Sequence, residues 1–156
     1  MARAPFQVLV YPYRRTHAGS REYALFKRSD AGFWQGISGG GEDDETPLQA
    51  ARREAFEEAR IPSFAKFSRL DTVASVPVTA FRDSYLWGED TYVIPRYCFG
   101  VLIEDEAMAL SEEHTESAWL PYEEAYRVLQ YDRDRTALWE WETRLRGRGP
   151  RGESPD

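Results

Sequence analysis

The run Gly39-Gly40-Gly41, followed five residues later by Thr46-Pro47-Leu48-Gln49, constrains this chain more than any other feature. Three adjacent glycines strip the Cβ atoms from one stretch of backbone, so another element can approach closely; the expectation is a tight bend curled against the next segment. That segment opens as a helix, with Thr46 as N-cap, Pro47 at the first helical position and Gln49 placed to close a capping box. No Gly or Pro interrupts 48–60, and alanine recurs, which favours helix to about Arg60. On a 3.6-residue wheel Leu48, Ala51, Ala55, Phe56 and Ala59 fall within an arc of about 140°, the stripe expected to face the core. Glu54, Glu57 and Glu58 fall on the other side, one turn apart, with Arg53 four residues before Glu57. Crowded like charges cost free energy, so a cation is expected to join them. Hard oxygen donors suit Mg²⁺ or Mn²⁺, and the Cys/His set that zinc favours is missing. For the three glutamates alone, the plain alternative is a solvated acidic face.

Strand patterns lie on both sides of this helix. Phe6–Tyr13 and Arg21–Arg28 read as two strands of a hairpin, and Phe33–Ser38 leads into the glycines. Leu70–Phe81 and Tyr92–Ile103 read as later strands, in which Pro77 and Pro95 imply edges or bulges, with a loop over Arg82–Asp90. Two helical stretches close the fold, Tyr122–Gln130 and Arg133–Leu145, after a short Ser111–Trp119 region. The 156 residues fit one domain, 1–146, and 147–156 has the composition of a disordered tail. Cys98 is the sole cysteine, so no intramolecular disulfide forms and a cytoplasmic setting is expected. No apolar run approaches a membrane span. A net charge of −7 argues against nucleic acid polymers and anionic membranes, so an anionic small-molecule substrate needs local cations.

Gly39, Glu45, Arg53, Glu54, Glu57 and Glu58 stand in the pattern G-x5-E-x7-R-E-x-x-E-E. At ordinary residue usage such a match arises by chance in about 10⁻⁷ of windows. The pattern resembles the Nudix box, the signature of the Nudix hydrolases. It departs at Ala55, where a bulkier apolar residue is usual, and at Arg60, where glycine is. A left-handed Arg60 costs roughly 1 kcal/mol or more, so Pro62, which biases Ile61 toward extended backbone, is expected to end the helix instead.

The resemblance implies an α+β fold, the Nudix-type α/β/α sandwich with a mixed β-sheet. It implies Glu54, Glu57, Glu58 and Glu113, with the Gly39 carbonyl, as ligands to Mg²⁺ or Mn²⁺. Arg53 and Glu45 become orienting residues, and Glu57 or Glu113 the general base, with Glu112 and Glu116 as neighbours able to substitute. Lys27-Arg28, Gly32-Phe33-Trp34-Gln35, Glu113-His114 and Trp119-Leu120 resemble the bacterial dihydroneopterin triphosphate pyrophosphatases, also called dATP pyrophosphohydrolases. That likeness implies substrate contacts from Lys27 and Ser38. Phe33 and Trp34 either stack on a base or pterin or belong to the core. His114 reads as a surface residue, and Asp134-Arg135 as a weaker substrate contact. The implied reaction is metal-dependent hydrolysis of a nucleoside or pterin triphosphate to a monophosphate and pyrophosphate. The alternatives are a Nudix pyrophosphatase for nucleotide sugars or dinucleotides, and a catalytically silent nucleotide-sensing module. Monomer and homodimer are both open.

Overall fold

From Val8 to Tyr13 the chain is apolar at every position rather than at alternate ones, the pattern of a strand covered on both faces. In a computed structural model, which describes residues 3–28, 32–104 and 114–147, these residues are the buried centre of β1 (Arg3–Arg15). The remaining strands are β2 (Arg21–Arg28), β3 (Trp34–Gln35), β4 (Ile37–Glu42), β5 (Phe67–Pro77), β6 (Val93–Leu102) and β7 (His114–Pro121). Three helices accompany them: α1 (Pro47–Ala59), α2 (Tyr122–Val128) and α3 (Asp132–Leu145). Strand β1 runs parallel to β6 and antiparallel to two partners on its other edge, first β4 and then, from Tyr13, β2. Strand β5 flanks β6, and β2 also carries β3 and β7. The sheet is therefore mixed, as expected.

Side chains alternate between two cores. Val8, Val10, Ala24, Phe26, Phe99 and Val101 point to the α1 side. Leu9, Tyr11, Tyr23, Leu25 and Cys98 point to the α2 and α3 side, where Trp141 occupies the space that a side chain at Gly100 would fill. This period of two, with helices on both faces, is the α/β/α sandwich. Among the described residues no helix is long and apolar enough to cross a membrane.

Several local expectations are corrected. The glycine run is not a bend: Gly39 and Gly40 pair with Val8 and Gln7 inside β4, and among the described residues the positive-φ glycines are Gly19, Gly32, Gly88 and Gly147. The buried face of α1 is Ala50, Ala51, Ala55, Glu58 and Ala59, whereas Leu48 and Phe56 are exposed. A wheel ranked by apolar size misses this, because a helix lying close on a sheet admits small residues only. Arg60 itself adopts the left-handed conformation (φ 58°). Its N–H donates to the Phe56 carbonyl (2.9 Å) and that of Ile61 to the Ala55 carbonyl (3.2 Å), an αL closure that satisfies terminal carbonyls of the helix, with Ile61 buried as an apolar plug. The Arg60 guanidinium lies 5.1 Å over the Phe56 ring, which helps offset the strained backbone.

Pro95 lies just before the parallel ladder with β1 begins, at Arg96, so β1 asks no N–H of it. Strand β5 stops at Pro77 and gives way to two short 3-10 turns, Val78–Ala80 and Arg82–Trp87. Strand β7 occupies part of the stretch left unassigned from sequence and pairs with β2. The tail expected at 147–156 lies outside the described residues beyond Gly147.

Helix α3 is pinned to β2 by Glu142, buried at 6% exposure. Its carboxylate accepts two bonds from Arg21 (both 3.1 Å), one from the Tyr23 hydroxyl (2.6 Å) and one from Arg146 (2.7 Å). Burial alone would raise the pKa of this carboxyl, but these donors outweigh it and hold the pKa below the ordinary 4.5. A depressed carboxylate contributes stability that is present above its unfolded pKa and lost as pH falls through the folded value. We predict that Glu142→Gln costs about 1–3 kcal/mol at neutral pH. The gap to the parent chain, read from urea midpoints, should shrink below pH 4.5; a gap constant from pH 7 to 3 would contradict this.

Candidate active site

One guanidinium organises the cleft between β4 and α1. Arg53 holds Glu45 with a two-pronged grip, Nε to Oε2 at 2.7 Å and Nη2 to Oε1 at 3.0 Å. Its Nη2 also donates to the Gly40 carbonyl (2.8 Å), and its Nη1 to Glu54 (2.8 Å) and Glu57 (3.3 Å). Glu45 in turn accepts from the Glu42 backbone N–H at 2.8 Å. The hydrogen bond with Glu45 raises the pKa of Arg53, and the same contact lowers that of Glu45. The N-terminus of α1 is fixed as its sequence demands: the Gln49 N–H donates to the Thr46 hydroxyl (3.2 Å), and the Thr46 N–H to the Gln49 side chain (2.9 Å).

Glu54, Glu57 and Glu58 line one cleft of about 390 Å³ with Ser38, Gly39, Gly40 and, from β1, Arg3 and Gln7. Gly39 explains the spacing, since any Cβ there would overlap the Glu54 carboxyl group. Glu58 is buried at 5% exposure, and Glu57 is exposed. Among the described residues no Cys or His lines this cleft, and its carboxylate and carbonyl oxygens are hard donors that fit a divalent cation such as Mg²⁺ or Mn²⁺. Among the described residues no three acidic side chains already stand together in a geometry that could hold a metal ion, and Glu54 is engaged by Arg53. The carboxylates thus form a wall rather than a preformed cage. Glu112 and Glu113 lie outside the described residues; Glu116 stands exposed on β7.

A second pocket shares Gln7 and Ser38 with the cleft and adds Phe33, Phe81, Tyr131, Arg96 and Asp134. Phe33 meets Tyr131 edge-on at 5.7 Å. Trp34 packs instead against the core around Leu129, and bridges to it. Lys27 sits on β2 opposite Trp34 and Glu116, away from the lining of both spaces. Arg135 caps the end of α2, donating to the Leu129 carbonyl at 2.6 Å. Arg3, Gln7, Phe81, Arg96 and Tyr131 escape sequence reasoning because they come from four separate segments and carry no shared spacing. Burial pushes the Cys98 thiol up to about 12, so it is no nucleophile.

Lysine at position 53 would keep the charge, but a single ammonium cannot grip Glu45 with two prongs while reaching Glu54 and the Gly40 carbonyl. We predict that Arg53→Lys lowers stability by about 1–3 kcal/mol, seen as a lower thermal midpoint. An unchanged midpoint would show that the guanidinium does not organise the cleft.

A model of the NUDIX domain matches residues 7–142. The dihydroneopterin triphosphate diphosphatase of Haemophilus influenzae is 27% identical over 135 residues, covering 84% of this chain and 83% of that protein. Among solved structures, a Listeria monocytogenes protein assigned as a NUDIX hydrolase is 38% identical, with a TM-score of 0.81 over 92% of this chain and 95% of its own. The E. coli dihydroneopterin triphosphate pyrophosphohydrolase, 22% identical, shares the fold with a TM-score of 0.71 over 88% of this chain and 94% of its own. Nudix hydrolases use divalent metal ions. With its box side chains gathered on one cleft and the family match running through nearly the whole described fold, the chain belongs to the Nudix family and is a hydrolase of acid anhydrides.

Proposed function

We propose that this chain hydrolyses the bond between the α and β phosphates of a nucleoside or pterin triphosphate, using Mg²⁺ or Mn²⁺, in the cytoplasm. One observation carries the reading: the acidic wall of α1 and an aromatic pocket share Gln7 and Ser38, so phosphates beside the glutamates leave the ring system beside Phe33, Phe81 and Tyr131. The name of the Haemophilus influenzae relative, a triphosphate diphosphatase acting on a pterin, supports it.

Water adds at one phosphorus of the α–β bridge, the bridging P–O bond breaks, and the products are a monophosphate and pyrophosphate. Divalent cations held by Glu54, Glu57, Glu58, Glu113 and the Gly39 carbonyl would neutralise the phosphate oxygens and lower the pKa of the attacking water. Glu57 is exposed and tied to Arg53 by its longest bond, 3.3 Å, which leaves it able to accept the proton of that water; Glu113 is the other base. Arg53 keeps Glu54 and Glu57 aimed along the cleft. Of the three residues that the family likeness offers for substrate contact, Ser38 lines both spaces, whereas Lys27 and Trp34 lie outside their lining, so Ser38 is the substrate-side residue of this reading.

The test is a panel of the dNTPs, dihydroneopterin triphosphate, nucleotide sugars and dinucleotides in Mg²⁺, scored for pyrophosphate and monophosphate. Triphosphates should yield both in equal amounts, and Glu57→Gln should cut turnover by orders of magnitude while leaving the fold intact. Cleavage confined to nucleotide sugars or dinucleotides would transfer the chain to another substrate class. No turnover on any member would favour the silent sensing module.

A further inference from the structure

The aromatic pocket is floored by a buried ion pair. Arg96 and Asp134 are 3% and 2% exposed, and Arg96 Nη1 donates to Asp134 Oδ1 at 3.0 Å. The position of each is fixed from behind: Arg96 Nη2 donates to the Ser38 hydroxyl at 2.7 Å, and the buried Tyr11 hydroxyl donates to the Asp134 backbone carbonyl at 2.9 Å. Arg96 Nε is sealed from solvent with no hydrogen-bond partner. Burying two charges is costly and adds little net stability over an apolar pair, so core packing does not account for them. Both line the pocket, with the buried amide of Gln35 beside them.

We propose that Asp134 and Arg96 are specificity-determining residues, which select the substrate's ring by a hydrogen-bonding edge bearing a carbonyl, a ring N–H and an amine in a row. This deepens the triphosphate reading above and rests on it. A carboxylate accepts only, and a guanidinium donates only. An edge that offers two adjacent donors to Asp134 and an acceptor to Arg96 is complementary to the pair. Guanine and pterin share that edge. Adenine sets a lone pair beside its amine, and thymine and cytosine set a carbonyl where the amine should be, so each turns an acceptor toward the carboxylate. An unpaired buried acceptor discriminates more strongly than a missing apolar contact.

The experiment measures binding to the full-length chain without metal, so that it does not depend on turnover. The probes are GMP, IMP, AMP and neopterin, titrated calorimetrically. GMP and neopterin should bind at least about tenfold tighter than AMP, and IMP, which lacks the amine, about tenfold weaker than GMP. AMP binding as tightly as GMP, or IMP equal to GMP, would overturn the proposal. Asp134→Asn should collapse the GMP-to-AMP ratio toward unity, a readout that a merely structural role would not move. Should that variant fail to fold, the probe series on the parent chain still decides. In turnover, dGTP against dihydroneopterin triphosphate identifies which source of the edge is the substrate, both being expected to exceed dATP by about tenfold in kcat/KM. Retained GMP preference without any triphosphate hydrolysis would leave the pocket assignment standing and defeat the proposed reaction alone.

Discussion

Four carboxylates and a strand carbonyl are arranged around the Arg53 guanidinium, and the rest of the cleft depends on that arrangement. Without a central cation, Glu42, Glu45, Glu54 and Glu57 would repel one another across the junction of β4 and α1. With it, the loop from Glu42 to Thr46 is tied to the helix, and the helix to the Gly40 carbonyl. The planar, forked donor geometry of arginine lets one side chain serve several acceptors at once. Glu54 and Glu57 are thereby kept on the cleft side of α1.

A second constraint works through absence of bulk. The buried face of α1 is four alanines and Glu58, laid against a strand whose glycines leave room for the Glu54, Arg3 and Phe6 side chains. Larger residues at Gly39 or Ala55 would push the helix off the sheet and carry the acidic wall with it. Close packing of this kind relates sequence to chemistry directly, since the helix-to-strand distance sets how far the carboxylates stand from Gly39 and Ser38. The same logic recurs on the opposite face, where Gly100 admits the Trp141 ring.

Much of this was legible in the sequence where spacing encodes a single element. The capping box and the exposed position of Glu57 follow from local spacing, whereas Glu58, which the wheel sets on the charged side, lies on the buried alanine face. The α1 stripe failed at Leu48 and Phe56 because burial there is decided by the glycine strand opposite, not by apolar size. Arg60 failed differently: Phe56 and the Ile61 plug make a left-handed arginine tolerable, and both act through geometry that propensity does not contain. The aromatic pocket was least legible, because Gln7, Phe33, Phe81, Arg96 and Tyr131 come from distant segments that only the β1–β6 ladder and the start of α3 bring together.

The proposed hydrolysis depends on capture of hard cations by the α1 wall at the phosphate end of a bound triphosphate. The most direct measurement is Mn²⁺ binding by electron paramagnetic resonance to the full-length chain, with a non-hydrolysable triphosphate analogue present, for the parent and for a Glu54→Gln, Glu58→Gln double variant. Protein-bound Mn²⁺ is expected in the parent and its loss in the double variant, with the helical circular dichroism signal retained. Equal Mn²⁺ binding in both proteins, or none in either, would contradict it.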